Sequence, residues 1–149
     1  MRTVSASIVV PAPPVEAEQL WHDRSRWASW IDDFGHVAKL EGDWPQAGAR
    51  RMWVSRGGWG RGSGGLVSET VAHFEAGRGV TLRVEDSRLA GLQRVRFEGG
   101  ADATRITLEL EVAPKERMPP ARAWWLRRKL ADSLRRTLVR FSYELAAER

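Results

Sequence analysis

Few side chains in this sequence can do chemistry, and their spacing narrows the choice further. There are 3 His (His22, His36 and His73) and 0 Cys. Without cysteine there is no thiol nucleophile and no thiolate ligand, and the histidines do not show metal-binding spacing. No metal site is expected, since a zinc or iron would have to draw carboxylates from elsewhere. A histidine in an apolar setting suits general acid–base work, because its ordinary pKa of about 6.5 is easily tuned. His36 is the candidate catalytic residue; the competing reading is an exposed loop histidine. Asp32-Asp33 lies just before it. Paired carboxylates can share a proton or orient a base, and they can equally cap a helix or face solvent.

Gly60-Arg-Gly-Ser-Gly-Gly65 satisfies G-x-G-x-x-G. A dinucleotide fingerprint needs a helix next, so that a pyrophosphate meets its N-terminus. Here Leu66-Val-Ser-Glu-Thr-Val reads as strand, so the glycines read as a hairpin tip and no cofactor is implied. Arg56-Gly-Gly and Arg61-Gly-Ser could touch nucleic acid. One such loop beside a neutral body argues against nucleic acid as a partner.

The element that must position everything else is the last one, roughly Ala121 to Ala147. At about 100° per residue, Leu126, Leu130, Leu134, Leu138, Phe141 and Leu145 share one sector, with Thr137 at its edge. Arg128, Lys129, Arg135, Arg136 and Arg140 fall opposite, as a half-buried amphipathic helix requires. Pro119-Pro120 supplies its start. Arg127 breaks the pattern by falling inside the apolar sector. A buried, unpaired guanidinium is too costly to keep. Either this turn protrudes and Arg127 reaches water or a surface carboxylate, or it points into a pocket and holds an anionic ligand group.

The rest of the chain takes a regular order. Thr3 to Val10 alternates as a half-buried strand, and Pro11-Ala-Pro-Pro14 leads into short helices at Val15–His22 and about Arg26–Phe34. Strand character follows at Val37–Glu41, Ala49–Arg56, Leu66–Phe74, Val80–Glu85, Leu89–Glu98 and Arg105–Val112, joined by short glycine-bearing connections. Strands in series with one long terminal helix imply a single α+β domain over residues 1–149. The chain has 149 residues, 42% hydrophobic, and a net charge of +5. Residues 1–120 carry 16 basic and 16 acidic side chains, and residues 121–149 carry 8 and 3, so the excess sits on the terminal helix. No apolar run is long enough to span a membrane, Val4–Val10 is too short for a signal peptide, and the lack of cysteine fits a reducing cytoplasm. The 8 Trp suggest a roomy apolar cavity or an interface.

This order, with Ile8-Val-Val-Pro-Ala-Pro-Pro-Val-Glu-Ala-Glu-Gln-Leu-Trp21, Trp30, Gly48-Ala-Arg-Arg-Met-Trp53 and Thr104-Arg-Ile-Thr-Leu-Glu-Leu, resembles the START/Bet v 1-like helix-grip superfamily (SRPBCC). Within it, the likeness is to the polyketide cyclase/dehydrase and lipid-transport group. The resemblance implies a curved antiparallel sheet of about seven strands gripping the terminal helix, with a ligand cavity between them. It places His36 near that cavity, Trp30 and Trp53 in its wall, Trp59 as a flap over its mouth and Arg127 at its border. The expected ligand is a hydrophobic, aromatic or polycyclic small molecule, and the expected chemistry, if any, is cofactor-free cyclisation or dehydration. The group shares no catalytic motif to carry over. Two rivals stand beside this: a lipid or quinone carrier docking peripherally on membranes through the basic helix face, and an interaction module using Trp124-Trp125. A homodimer is compatible with all three.

Overall fold

The clearest alternation in the sequence becomes the most regular strand. In a computed structural model, which describes residues 2–57 and 65–148, every second residue from Thr104 to Val112 is buried along β7 (Thr104–Pro114). β1 (Arg2–Val10) pairs antiparallel with it, setting Ile8 opposite Ile106, Ala6 opposite Leu108 and Val4 opposite Leu110. Because side chains alternate with period two, this register puts both apolar sets on one face. The remaining elements are α1 (Pro14–His22), α2 (Trp27–Trp30), β2 (Phe34–Glu41), β3 (Arg50–Ser55), β4 (Leu66–Glu75), β5 (Gly79–Glu85), β6 (Leu89–Gly99) and α3 (Pro120–Ala147). The strands form one seven-stranded antiparallel sheet in the order β1-β7-β6-β5-β4-β3-β2. Hairpins carry the chain from β2 to β7, and β1 adds on the far side.

The second helix is shorter than its sequence pattern suggests. It stops at Trp30, and Phe34 already belongs to β2. The Asp32 backbone N–H donates to Thr137 Oγ1 of α3 at 3.0 Å rather than extending the helix, and Asp33 turns the chain with a left-handed φ of 65°. Bonds to α3 therefore win over another turn of local helix. β2 lies at the sheet edge and pairs irregularly with β3, with register shifts between Phe34 and His36 and between Val37 and Lys39. At the β4–β5 turn, Gly77 has a φ of 80°, and its N–H donates to the Glu18 carboxylate at 2.9 Å. That bond ties α1 to the hairpin, at a position where a side chain would strain the backbone.

α3 lies against β1 and α2 and buries Leu130, Ser133, Leu134, Thr137, Leu138, Phe141 and Leu145, with Leu126 partly covered. The helix is therefore the second layer, and it closes the concave side of the sheet. No helix among the described residues is long and apolar enough to cross a membrane.

Leu134 sits at the middle of this contact with 4% of its surface exposed. Leu134→Ala should lower unfolding free energy by about 2–5 kcal/mol through the cavity it leaves, measured by urea denaturation. A loss under roughly 0.5 kcal/mol is surface behaviour and would show that α3 is not packed as described.

Candidate functional site

The space between sheet and helix is filled mainly by aromatic rings. Trp21 lies 4.4 Å from Trp30 and 5.0 Å from Phe141, measured between centroids. Phe34 stacks on Trp53 at 4.9 Å, and Trp27 meets Trp44 at 5.6 Å. Edge-to-face and offset contacts of this kind add to the burial of each ring. What remains in the middle is a void of about 20 Å³ bordered by Trp30, Asp32, Arg51, Gln93 and Ser133 among others, about the size of one water.

Several polar groups are buried beside these rings. Arg51 faces inward on β3, directly opposite Glu69 of β4. Its Nε donates to Glu69 Oε1 at 2.8 Å, and Trp53 Nε1 donates to the same oxygen at 2.7 Å. The guanidinium carbon lies 4.4 Å from the Trp27 ring centroid and 4.5 Å from that of Trp44. A delocalised, weakly hydrated cation between aromatic faces tolerates burial better than an ammonium would. Asp32 and Asp33 do not act as a pair. Asp33 accepts from Ser55 Oγ, whereas Asp32 accepts from Ser133 Oγ at 2.7 Å and from Arg136 and Arg140 at 3.0 Å. Burial alone would raise the Asp32 carboxyl. The hydrogen bonds from Arg136 and Ser133, with the charges of Arg136 and Arg140, outweigh it and hold the group below the usual carboxylate value. His22, at the end of α1, packs edge-on against Phe74 at 5.6 Å. Neither of its ring nitrogens meets a hydrogen-bond partner among the described residues. Burial first, and the Arg51 charge second, push its pKa from 6.5 down to about 4.

Larger spaces lie away from this centre: a groove of about 600 Å³ over β4–β6, lined by His73, Arg78, Arg94 and Phe97 among others, and a smaller one with an apolar floor at the start of α3. The latter is a cavity of about 340 Å³, with Val4, Leu89, Val112, Leu126 and Leu130 as its apolar floor and Lys115, Glu116, Arg117 and Arg127 at its rim. Its position follows from the chain. β7 ends at Pro114 and α3 begins at Pro120. Pro119 and Pro120 hold the connection away from helical geometry, so residues 115–119 arch over the gap. Two bonds pin the arch, Lys115 N–H to Arg88 O at 2.8 Å and Lys115 Nζ to Glu85 Oε2 at 2.8 Å. Chemically, an apolar floor with guanidinium groups at its edge can hold a hydrophobic body by burial and orient one anionic group by charge-assisted hydrogen bonds.

The candidate residues separate. Arg127 borders this cavity as an exposed side chain, and its Nη2 donates to Thr3 O at 3.2 Å. Trp30 borders the small central void and not the cavity at the start of α3. Trp53 is fully buried in the core and lines neither space, because its indole is held by Glu69 and Phe34. His36 is exposed on β2, away from the residues that line either space. Trp59 lies outside the described residues, as does most of the G-x-G-x-x-G tip. Among the described residues no group of His, Cys, Asp and Glu could hold a metal ion. The arch 115–119 and the Arg51–Glu69 pair escaped the sequence reading. The pair had a signal, since Arg51 shares strand parity with Trp53 and Glu69 shares it with Val67 and Val71.

Comparison with known proteins gives a consistent picture. The sequence model of a family described as polyketide cyclase/dehydrase and lipid transport matches residues 1–142. No curated protein matches the sequence. Among solved structures, the Zhui aromatase/cyclase from Streptomyces sp. R1128 superposes with a TM-score of 0.80 at 14% identity, covering 97% of this chain and 93% of that one. A START superfamily protein from Mycobacterium smegmatis gives 0.75 at 14% identity, covering 99% of both chains. DynU16, from the dynemicin biosynthetic locus, gives 0.67 at 22% identity over 99% of this chain. The chain spans about half of that protein's length, 48%. At these identities the likeness is one of fold: the helix-grip arrangement.

Two predictions follow from the buried polar groups. Glu69→Ala removes the carboxylate held by Arg51 and should cost about 3–5 kcal/mol in chemical denaturation, while Arg51→Met with Glu69→Leu together should cost much less. Equal losses in the two proteins would contradict a buried ion pair. For His22, the unfolded chain takes up a proton near pH 6.5 and the folded chain only near 4. Stability is therefore fully present above pH 6.5 and falls as pH drops toward 4, by roughly 3 kcal/mol in all. Asp32, whose folded value lies below 3.8, loses its contribution only at lower pH. Stability measured against pH should lose the slope between 6.5 and 4 in His22→Leu; a slope that persists would assign it to another group.

Proposed function

Because the chain belongs to the polyketide cyclase/dehydrase and lipid-transport family, we propose that it binds a hydrophobic, flat small molecule bearing one anionic group in the cavity beneath the start of α3. The observation that carries this reading is the pairing of an apolar floor with a cationic rim in about 340 Å³, within the usual size range of small-molecule sites. Leu126, Leu130 and Val112 take the aromatic or polycyclic body. Arg127 takes the carboxylate, enolate or phenolate. Its bond to Thr3 O uses one of five N–H donors, which leaves the fork able to turn onto an anion.

A second reading is favoured by the likeness to the aromatase/cyclase. In it the same cavity folds a polyketide-like chain so that a nucleophilic carbon meets a carbonyl, forming a ring bond and releasing water. Positioning supplies much of such a rate, and the carboxylate at hand is Glu116. His36 plays no part in this cavity. The test of this reading is turnover of a cyclisable polyketone, which Glu116→Gln should abolish.

The binding reading is tested with two fluorescent naphthalenes, the anionic anilinonaphthalene sulfonate and the neutral phenylnaphthylamine. Arg127→Leu should weaken the anion by about ten-fold or more, the scale of a hydrogen bond to a charged group, and leave the neutral compound unchanged. Leu126→Trp should fill the floor and exclude both. If Arg127→Leu binds the two compounds as before, Arg127 is a surface residue and does not hold the anion.

A further inference from the structure

The basic face of α3 is not one surface. Toward its C-terminus the cations are occupied: Arg135 pairs with Asp132, and Arg136 and Arg140 both hold Asp32. Around its start, Arg117, Arg122, Arg127, Arg128 and Lys129 form no ion pair among the described residues, and no carboxylate occurs in sequence from Arg117 to Ala131. Between them stand two exposed indoles, Trp124 at 63% and Trp125 at 39% of their surface. The Arg128 guanidinium lies 5.7 Å from the Trp124 ring and Lys129 Nζ 5.6 Å from the Trp125 ring. On the helical wheel these four side chains share the outward half, opposite Leu130 and Leu134. None of the four lines the cavity, whose helix-side wall is their sequence neighbours Ala123, Leu126, Arg127 and Leu130.

We propose that the outward face of the opening turns of α3, Trp124, Trp125, Arg128 and Lys129, docks on an anionic lipid bilayer. Indoles favour the boundary between headgroups and acyl chains, and each basic side chain near an anionic leaflet adds attraction. The charges argue against two other occupants. A symmetric dimer through this face would set cations against cations. A nucleic-acid site would be expected to continue onto the body, which carries 16 basic and 16 acidic residues over 1–120 and is neutral. The same turns of α3 supply Ala123 and Leu126 to the cavity wall, which makes the bilayer a source for a poorly water-soluble ligand; this last step rests on the binding reading above, the docking does not.

Flotation of the full chain with vesicles of phosphatidylcholine, alone or mixed with phosphatidylserine, tests the docking without any cavity ligand. Binding should require phosphatidylserine and fall with added salt. Arg128→Gln with Lys129→Gln should weaken it about twenty-five-fold, at roughly five-fold per cation. Trp124→Ala with Trp125→Ala should abolish the shift of tryptophan emission on binding. Arg135→Gln, whose charge is already paired, should leave binding nearly unchanged, and thermal melting verifies that each variant is folded. Equal binding to both vesicle types, no binding, an equal loss in Arg135→Gln, self-association through the indoles, or binding to nucleic acid instead of vesicles would each overturn the proposal. The naphthalene experiment contains no lipid, so failure of the cavity reading and failure of the docking are seen separately.

Discussion

A guanidinium can be kept inside a protein only if its charge is met and its donors are used, and Arg51 imposes that condition on half of this fold. Glu69 must stand opposite it on β4, Trp53 must share the carboxylate, and Trp27 and Trp44 must cover its faces. These requirements bring together β3, β4, α2 and the connection after β2. Replacing such a pair by apolar residues is often neutral or stabilising in small proteins, so its value here lies in the arrangement it dictates. With the rings committed to Arg51 on one side and to Phe141 on the other, the middle of the sheet–helix gap is closed. An apolar-floored cavity is left instead at the start of α3, where the β7–α3 arch stands off the sheet.

The same helix thus has two electrostatic lives. Its later turns are anchored, because Asp32 gathers Arg136, Arg140 and Ser133 while Arg26 gathers Glu144 and Glu148. Its opening turns border a cavity on one side and on the other present indoles and cations that form no ion pair among the described residues. A rigid anchor at one end and a chemically open surface at the other is the arrangement a ligand-binding grip needs, since the wall of the site is held without being filled.

Much of the fold was legible in the sequence wherever periodicity and punctuation agreed. The alternation of Ile106, Leu108, Leu110 and Val112, the glycine-bearing hairpins and the apolar stripe of α3 each had one physical solution. The second helix ends sooner than its local pattern predicts because its end is set by Asp32 binding Thr137, a contact 105 residues away in sequence, and local pattern carries no record of such a bond. Trp53 shows the same limit from another side. Its residue type suits a cavity wall, but strand parity made its partner Glu69, and the indole became core. Arg127 was legible as an anomaly of the wheel, although its role depends on where the arch of residues 115–119 stands.

The irregular pairing of β2 has a consequence away from any ligand. A sheet that is open at its edge offers unpaired backbone groups to the next copy of the chain, and a flat edge invites strand-to-strand growth. In β2 two register shifts twist that edge, and Lys39 and Glu41 point from it into solvent. Interruptions and charges of this kind spoil the template for an added strand. The β2 edge of the grip is thereby a poor template for another chain, whereas β1 at the opposite edge pairs without a register shift.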